Sequence, residues 1–253
     1  MSGQTFPDHF SAVAPAYSSY RPTYPDALFA YLSELALGRS LAWDCAAGSG
    51  QATLGLVPYF ERVIATDASP TQIAQAPAHP RIEYRVASAE ASGLTAGSVD
   101  LIIVAQALHW LDLERFYAEA RRVLAPAGLL AVWSYPMQRT GDAAIDEVLS
   151  HFYSDVVGAW WPPQRHMVET GYRTVPFPFE EIAARSFDMV ACWSLPQLLG
   201  YVGTWSATSR YRAAMGHDPL PGLASALAPL WGRPEDEKRI LWPLEPRVGR
   251  LSP

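Results

Sequence analysis

The sequence predicts an α/β fold with a mostly parallel sheet, and three observations carry the prediction. Strand-like and helix-like segments alternate through the first half of the chain, the signature of βαβ units. Val99-Asp100-Leu101-Ile102-Ile103-Val104-Ala105 is almost wholly apolar, as expected of a central strand buried on both faces. Leu41-Ala42-Trp43-Asp44-Cys45 reads as a buried strand that carries an acidic residue near its end and breaks into Ala46-Ala47-Gly48-Ser49-Gly50. Small residues let a backbone approach a ligand closely, and the helix start that follows offers N–H groups without intrahelical partners. Strand, small-residue loop and helix together make a nucleotide-type site at the carboxyl edge of the sheet.

Each element follows from its own pattern. Ser40–Cys45 is the first strand, and Gly50–Tyr59 a helix closed near Pro58. Arg62–Thr66 is a second strand that stops at Asp67. Pro70–Gln75 begins a second helix, and Arg81–Val86 is a third strand. Val99–Ala105 is the fourth. Leu113–Leu124 places apolar residues at helical spacing among Glu114, Glu119, Arg121 and Arg122. Pro126-Ala127-Gly128 is a turn into a fifth strand, Gly128–Trp133. Beyond residue 134 the pattern loosens. Asp142–Val157 reads as helical, and Trp160–Pro178, rich in proline, aromatics and arginine, as an irregular cap. Arg185–Trp193 is a strand, and Leu195–Trp205, Ala207–Met215 and Leu220–Leu230 are helices. Lys238–Val248 is a last strand that Pro243 and Pro246 confine to an edge or shorten.

The chain has 253 residues, 49% of them hydrophobic and only 17% charged, which suits one large domain with a packed core. No apolar run reaches the ~18 residues of a membrane span, and Met1–His9 lacks the zones of a signal peptide. A formal charge of −6 argues against general nucleic-acid binding. Lys238 is the only lysine, so nearly all positive charge sits on arginine, which can grip carboxylates bidentately. Cys45 and Cys192 lie in strand-like apolar segments and read as buried, inert thiols. No cysteine–histidine spacing suggests zinc, so no metal is expected and a reducing, cytoplasmic setting is.

In this order the motifs resemble the class I S-adenosylmethionine (SAM)-dependent methyltransferases, in particular the type 11 and trans-aconitate methyltransferase-like branch. Four segments carry the resemblance. Trp43-Asp44-Cys45-Ala46-Ala47-Gly48-Ser49-Gly50-Gln51 matches the family's Asp-x-Gly-x-Gly-x-Gly-Gln loop. Val63-Ile64-Ala65-Thr66-Asp67-Ala68-Ser69 matches its second strand and acidic end. Ala89-Glu90 followed by Ser98-Val99-Asp100-Leu101-Ile102 matches the end of its third strand and its fourth. Ala105-Gln106-Ala107-Leu108-His109-Trp110 and Arg121-Arg122-Val123-Leu124-Ala125-Pro126-Ala127-Gly128 complete the set. Tyr17-Ser18-Ser19-Tyr20-Arg21-Pro22-Thr23-Tyr24-Pro25 matches the branch's N-terminal segment. The match is good over residues 10–135 and thin beyond.

The resemblance implies a Rossmann-like methyltransferase fold. It has a mostly parallel seven-stranded sheet, helices on both faces, an antiparallel last strand and a helical or irregular lid. It implies one methyltransferase domain over 1–253: N-terminal lid helices at 1–38, a SAM-binding core at 39–135, and a substrate-side cap with the last strands at 136–253. The reaction implied is methyl transfer from SAM, with S-adenosylhomocysteine as product. The acceptor is a small molecule, a carboxylate or a hydroxyl, with no nucleic acid, membrane or metal involved, in a monomer or homodimer.

Asp67, just after the second strand and near the usual ~20 residues beyond the loop, suits the two ribose hydroxyls, with Ala68 beside it; the alternative is an Asx turn opening the helix at Pro70. Gly48 and Gly50 would pass the methionine part of SAM. Asp44 would contact its amine or only order the loop. The Ala89 backbone would meet adenine, with Ser88 where relatives carry an acid and Glu90 as that acid's replacement or plain surface. Ala105 and Gln106 end the fourth strand, where cofactor and acceptor should meet. His109 would act as a base, orient the acceptor or cap the next helix. Arg21 would pair with SAM's carboxylate, and Tyr17 or Tyr20 would border the methyl group. Arg165, Arg173, Arg210 and Arg212 are candidates for an anionic acceptor, and Trp160, Trp161, Trp205 and Tyr211 for pocket walls.

Two departures stand out: Ala46 replaces the first loop glycine, and Ala127 one glycine of the fifth-strand turn. Alanine is tolerated where φ stays negative, so cofactor binding should survive with a slightly shifted loop. Two rival readings remain. A nicotinamide-dependent oxidoreductase shares the fold, but Gly48-Ser49-Gly50-Gln51-Ala52-Thr53 lacks the last glycine of Gly-x-Gly-x-x-Gly. A non-catalytic ligand-binding protein on the same fold is the other.

Overall fold

The computed structural model describes residues 22–251. Helix α1 (Asp26–Leu35) leads into β1 (Leu41–Cys45), α2 (Thr53–Leu56), β2 (Arg62–Asp67), α3 (Pro70–Ile73), β3 (Ile82–Val86) and β4 (Val99–Ala105). Then come α4 (Leu113–Val123), β5 (Leu124–Trp133), α5 (Ala143–His151), α6 (Arg165–Glu169), β6 (Glu180–Ile182) and β7 (Phe187–Trp193). The chain closes with α7 (Leu195–Gly203), α8 (Ser206–Met215), α9 (Leu220–Trp231), β8 (Lys238–Leu244) and β9 (Arg247–Arg250). The main sheet has seven strands in the order β3-β2-β1-β4-β5-β9-β6. The first five are parallel, and β9 runs antiparallel between β5 and β6. This is the Rossmann-like arrangement that the resemblance implies.

The apolar run Val99–Ala105 lies between β1 and β5, with its residues alternating between two buried layers. Leu101 and Ile103 face the layer that holds Ala42 and the α1 residues Leu28, Phe29 and Leu32. Ile102 and Val104 face the layer that holds Trp43, Cys45 and the α4 residues Phe116, Ala120 and Val123. Both layers exclude water, so the strand has no polar face to show.

The structure corrects several expected boundaries. The helix expected over Gly50–Tyr59 shrinks to Thr53–Leu56, because Gly50 has φ +83° and cannot join a right-handed turn. The expected turn at Pro126-Ala127-Gly128 is a bulge inside β5, where the register with β4 shifts between Val99 and Leu101. Glu180–Ile182, a strand the sequence did not suggest, forms the outer edge of the sheet. The last strand splits at Glu245-Pro246 into β8 and β9. Strand β8, which contains Pro243, pairs with β7 in a separate two-stranded sheet, and among the described residues its other edge meets the chain only at the bridge between Leu241 and Arg139, which leaves Pro243 at an edge. The thiol of Cys45 is buried as expected, but Cys192 is exposed, because β7 turns one face outward.

Residues 187–244 therefore form an insertion between β6 and β9. Its helices and two-stranded sheet pack their apolar faces, including Leu198, Val202, Leu227 and Trp242, into the same layer as α1. Among the described residues no helix is long and apolar enough to cross a membrane.

Candidate functional site

The loop after β1 is bolted to the end of β2 by backbone and carboxylate. The Ala47 N–H donates to the Thr66 carbonyl at 3.0 Å, and the Gly48 N–H donates to Asp67 Oδ2 at 2.9 Å. Asp67 Oδ1 accepts the Ser69 N–H at 2.8 Å, the Asx turn that leads into α3. Asp67 thus holds both the loop and the turn, and its carboxylate also lines the cavity they enclose. A carboxylate offers about four lone-pair sites, so its two backbone bonds leave it chemically able to accept others.

Asp44 lies beneath this loop. Its Oδ2 accepts the Thr53 hydroxyl at 2.6 Å, which ties the end of β1 to the start of α2. Its Oδ1 has no hydrogen-bond partner, nor has the nearby buried Tyr84 hydroxyl. Burial, the largest cause, pushes the Asp44 carboxyl up to about 7, and the neighbouring charge of Asp67 adds to it. Asp44 is not on the cavity wall, so the geometry fits the loop-ordering reading rather than direct contact with a ligand. Gly50 is also off the wall; a Cβ there would sit 2.8 Å from the Tyr84 hydroxyl at φ +83°. Gly48 is on the wall at φ +57°, with no atom closer to its Cβ position than Gln72 Oε1 at 3.9 Å. Its freedom lets the backbone bend toward the cavity without a side chain in the way.

The expectation about alanine fails here. Ala46 has φ +56° and Ala127 φ +59°, so both adopt the left-handed conformation that glycine takes freely. The geometry a glycine would give is kept, at a conformational cost of roughly 1 kcal/mol each.

The first cavity has a volume of about 150 Å³ and runs along the carboxyl edge of β1, β2 and β4. Ala46, Gly48, Asp67, Ala68, Ser88, Ala89, Glu90, Ala105 and Gln106 line it, all anticipated from the sequence. The Glu90 carboxylate accepts the Asp112 N–H at 3.1 Å, at the start of α4. Tyr17, Tyr20 and Arg21 lie outside the described residues, and of the same N-terminal segment Tyr24 lines the cavity. Sequence reasoning missed Gln72 and Tyr135, which reach the wall from α3 and from the residues after β5.

Gln106 marks the junction with a second cavity. It has φ +56°, and its side chain is stapled to the backbone of Tyr135, accepting the N–H at 2.8 Å. Left-handed non-glycine residues tend to cluster at functional sites. Gln106, Trp110 and Tyr135 line both cavities. The second is about 60 Å³ and adds His109, Pro136, Met137, Trp161, Arg165, Tyr201, Trp205 and Ser206.

His109 Nδ1 lies 2.9 Å from the Tyr172 hydroxyl. That hydroxyl is fully buried, and burial pushes it far up. Where the Tyr172 hydroxyl donates to Nδ1, the neutral ring carries its own proton on Nε2 as an N–H donor. Burial foremost, and the positive Arg165 next, lower the His109 imidazole to about 3. So weak a base is poorly matched to proton abstraction near neutrality.

Of the anion-binding candidates, only Arg165 lines this cavity. Arg173 pairs with Glu245 and lines a separate surface groove, Arg212 pairs with Asp218 at 3.0 Å, and Arg210 is off the wall. Trp161 and Trp205 form walls as anticipated, whereas Trp160 and Tyr211 pack edge-on against each other at 6.1 Å. Among the described residues no group of three His, Cys, Asp or Glu side chains could hold a metal ion.

Comparison with known proteins gives a consistent picture. The methyltransferase domain family matches residues 43–132. A Dictyostelium discoideum protein, named for a methyltransferase and no acceptor, is 33% identical over 93% of this chain and 91% of its own length. An uncharacterized methyltransferase of Mycobacterium tuberculosis is 34% identical over 70% of this chain and 76% of its own length. A solved type II methyltransferase assignment from Anaeromyxobacter dehalogenans is 48% identical, with a TM-score of 0.87 over 92% of this chain and 99% of that one. Haemonchus contortus phosphoethanolamine N-methyltransferase 2, solved with S-adenosylhomocysteine, is 15% identical with a TM-score of 0.51, over 99% of this chain and 61% of that one, and shares the fold alone.

Proposed function

The chain belongs to the class I SAM-dependent methyltransferases, and from that membership we propose that its first cavity takes SAM and its second a small-molecule acceptor. The junction at Gln106, Trp110 and Tyr135 carries this reading, because one ligand in each cavity would meet there. The residues fit the cofactor. The wall is mostly alanine, glycine and serine, so backbone groups form it, and Asp67 supplies the carboxylate that a ribose diol needs. Ala89 and Glu90 line the same cavity and would meet the adenine. When bound, SAM supplies an electrophilic methyl on a positive sulfonium, displaced in line by an acceptor lone pair to leave a neutral thioether.

The chain's own residues then have three tasks. Asp67 and the Gly48 backbone hold the donor, and Asp44 with Thr53 keeps the loop in register beneath it. Gln106, fixed to Tyr135, keeps the ends of β4 and β5 at a set separation, so donor and acceptor stay aligned. Trp110, Tyr135, Trp161 and Trp205 keep water from the transfer path. His109 is an orienting N–H donor in this reading and takes no proton from the acceptor.

Calorimetric titration with SAM, S-adenosylhomocysteine and NAD tests the assignment. Micromolar binding of the first two with none of NAD is expected. Binding of NAD in their place would reverse it, and binding without turnover on any acceptor would favour a ligand-binding role for the same cavity.

A further inference from the structure

We propose that Arg165 anchors the acceptor by a carboxylate group, so that the second cavity selects small, flat monoanions; this rests on the second cavity being the acceptor site. The guanidinium is built into the wall. Its Nε donates to the Tyr153 hydroxyl at 2.7 Å, and its carbon lies 4.4 Å from the Trp161 ring centre and 5.4 Å from that of Tyr153. Trp161 is itself held by its indole N–H on the Tyr153 carbonyl at 3.2 Å and by contact with Trp205 at 5.6 Å. A stretch of π-helix, Phe152–Val156, places Tyr153 for both bonds, and such turns are frequent at functional sites.

What Arg165 lacks, among the described residues, is a carboxylate hydrogen-bonded to it. Its closest carboxylate is Glu169 at 4.0 Å, half-exposed and already accepting the Tyr153 hydroxyl. No described residue accepts a hydrogen bond from its two Nη groups, although the side chain is only 17% exposed. With Nε spent, the Nη pair presents two donors side by side, the geometry that takes a carboxylate end-on. No Asp or Glu lines this cavity. His109 adds a neutral N–H, and Trp161, Trp205, Tyr201 and Met137 offer flat apolar walls.

The ligand chemistry follows by charge. One fixed positive charge matches one negative charge. A protonated amine would meet the guanidinium with no acid among the described residues of the cavity wall to offset it. A phosphate near −2 would leave charge uncompensated in a confined apolar site. Arg165 lines the second cavity only, so a carboxylate held on it lies on the acceptor side of the junction. The atom that receives the methyl is then a different part of the same small molecule.

Benzoate, benzamide, benzylamine and phenyl phosphate share one flat body and differ in charge, so they are suitable probes. Trp110, Trp161 and Trp205 line the cavity, so tryptophan fluorescence of the full chain reports occupancy, with and without S-adenosylhomocysteine. Benzoate should bind at least tenfold more tightly than the other three. Arg165→Met should weaken benzoate at least tenfold and Arg165→Lys at least threefold, with S-adenosylhomocysteine affinity within twofold of wild type in both. Absence of benzoate binding, equal affinity for benzamide, tighter binding of phenyl phosphate, or unchanged benzoate affinity in Arg165→Met overturns the proposal. Loss of S-adenosylhomocysteine binding by the wild-type chain instead strikes the cofactor assignment, and the benzoate series without cofactor still decides the anion site.

Discussion

The two cavities that meet at Gln106 are made of different material. The first is walled by backbone, with Ala46, Gly48, Ala68, Ser88, Ala89 and Ala105 on turns at the ends of consecutive parallel strands. The second is walled by large side chains from segments far apart in the chain: His109, Trp161, Arg165, Tyr201 and Trp205. A backbone wall suits a ligand common to a whole family, because it survives substitution of most side chains. A side-chain wall suits a ligand particular to one protein. The difference predicts where substitutions will hurt and what they will hurt.

In the first cavity the sensitive positions are those that set backbone shape. Gly50→Ala combines φ +83° with a Cβ 2.8 Å from the Tyr84 hydroxyl. Strain of this kind costs about 1–3 kcal/mol, so thermal unfolding should come roughly 3–10 °C earlier. An unchanged midpoint would show that the loop relaxes freely and that backbone shape is not what builds this wall.

Asp67 is the one side chain there that should matter as much as backbone. Its replacement by alanine removes the acceptor of the Gly48 and Ser69 N–H groups. S-adenosylhomocysteine should bind at least tenfold more weakly by calorimetry, about 1.4 kcal/mol. Retention of wild-type affinity would refute the ribose assignment.

A pH comparison sets one buried group of each region against the other. The Asp44 carboxyl is raised to about 7 in the fold from its ordinary 3.8. The folded state therefore holds the extra proton, and the stability this gives is lost as pH rises from about 4 to about 7. His109 is lowered to about 3 from 6.5. Here the unfolded state holds the extra proton, and stability is lost as pH falls from about 6.5 toward 3. The two slopes oppose each other where the windows overlap, each by at most ~1.4 kcal/mol per pH unit. Asp44→Asn should make the unfolding midpoint climb more steeply with pH than in wild type, and His109→Gln should make it climb less. Parallel pH profiles for all three proteins would contradict both burial assignments.

The smallest effect expected is at Ala127, distant from both cavities. Ala127→Gly relieves the left-handed strain while adding unfolded-state freedom, for a net gain of about 0.5 kcal/mol. Differential scanning calorimetry should place the midpoint 1–2 °C higher. A lower midpoint would mean that the alanine methyl contributes packing that outweighs its strain.

Legibility followed the same division. Asp67, Gly48 and Gln106 could be placed from sequence because each sits at or just beyond a strand end, and strand ends in a parallel sheet point to one edge; Ala89, three residues past β3, came from the family resemblance. Gln72 was missed because a residue inside the first turn of the next helix gives no local sign that it faces a ligand. Asp44 was recognisable as part of the motif, but its position under the loop depended on the Thr53 hydroxyl that claims it. Arg165 was one of four arginine candidates, and nothing in its neighbours singled it out. The sign of φ at Ala46 and Ala127 was misjudged because residue type states only a preference, while the pairing of β1 with β2 and of β5 with β4 imposed the conformation.

Sequence alone determined the layer order, the parallel core and the motif loop, because periodicity and small-residue turns act over a few residues and need no distant partner. The tertiary structure decided the rest. It inserted residues 187–244 between β6 and β9, split the last strand at Pro246 and brought Trp161, Arg165 and Trp205 beside His109. Those contacts join residues about 50 to 100 positions apart, and the packing of whole elements that creates them leaves no short-range pattern in the chain.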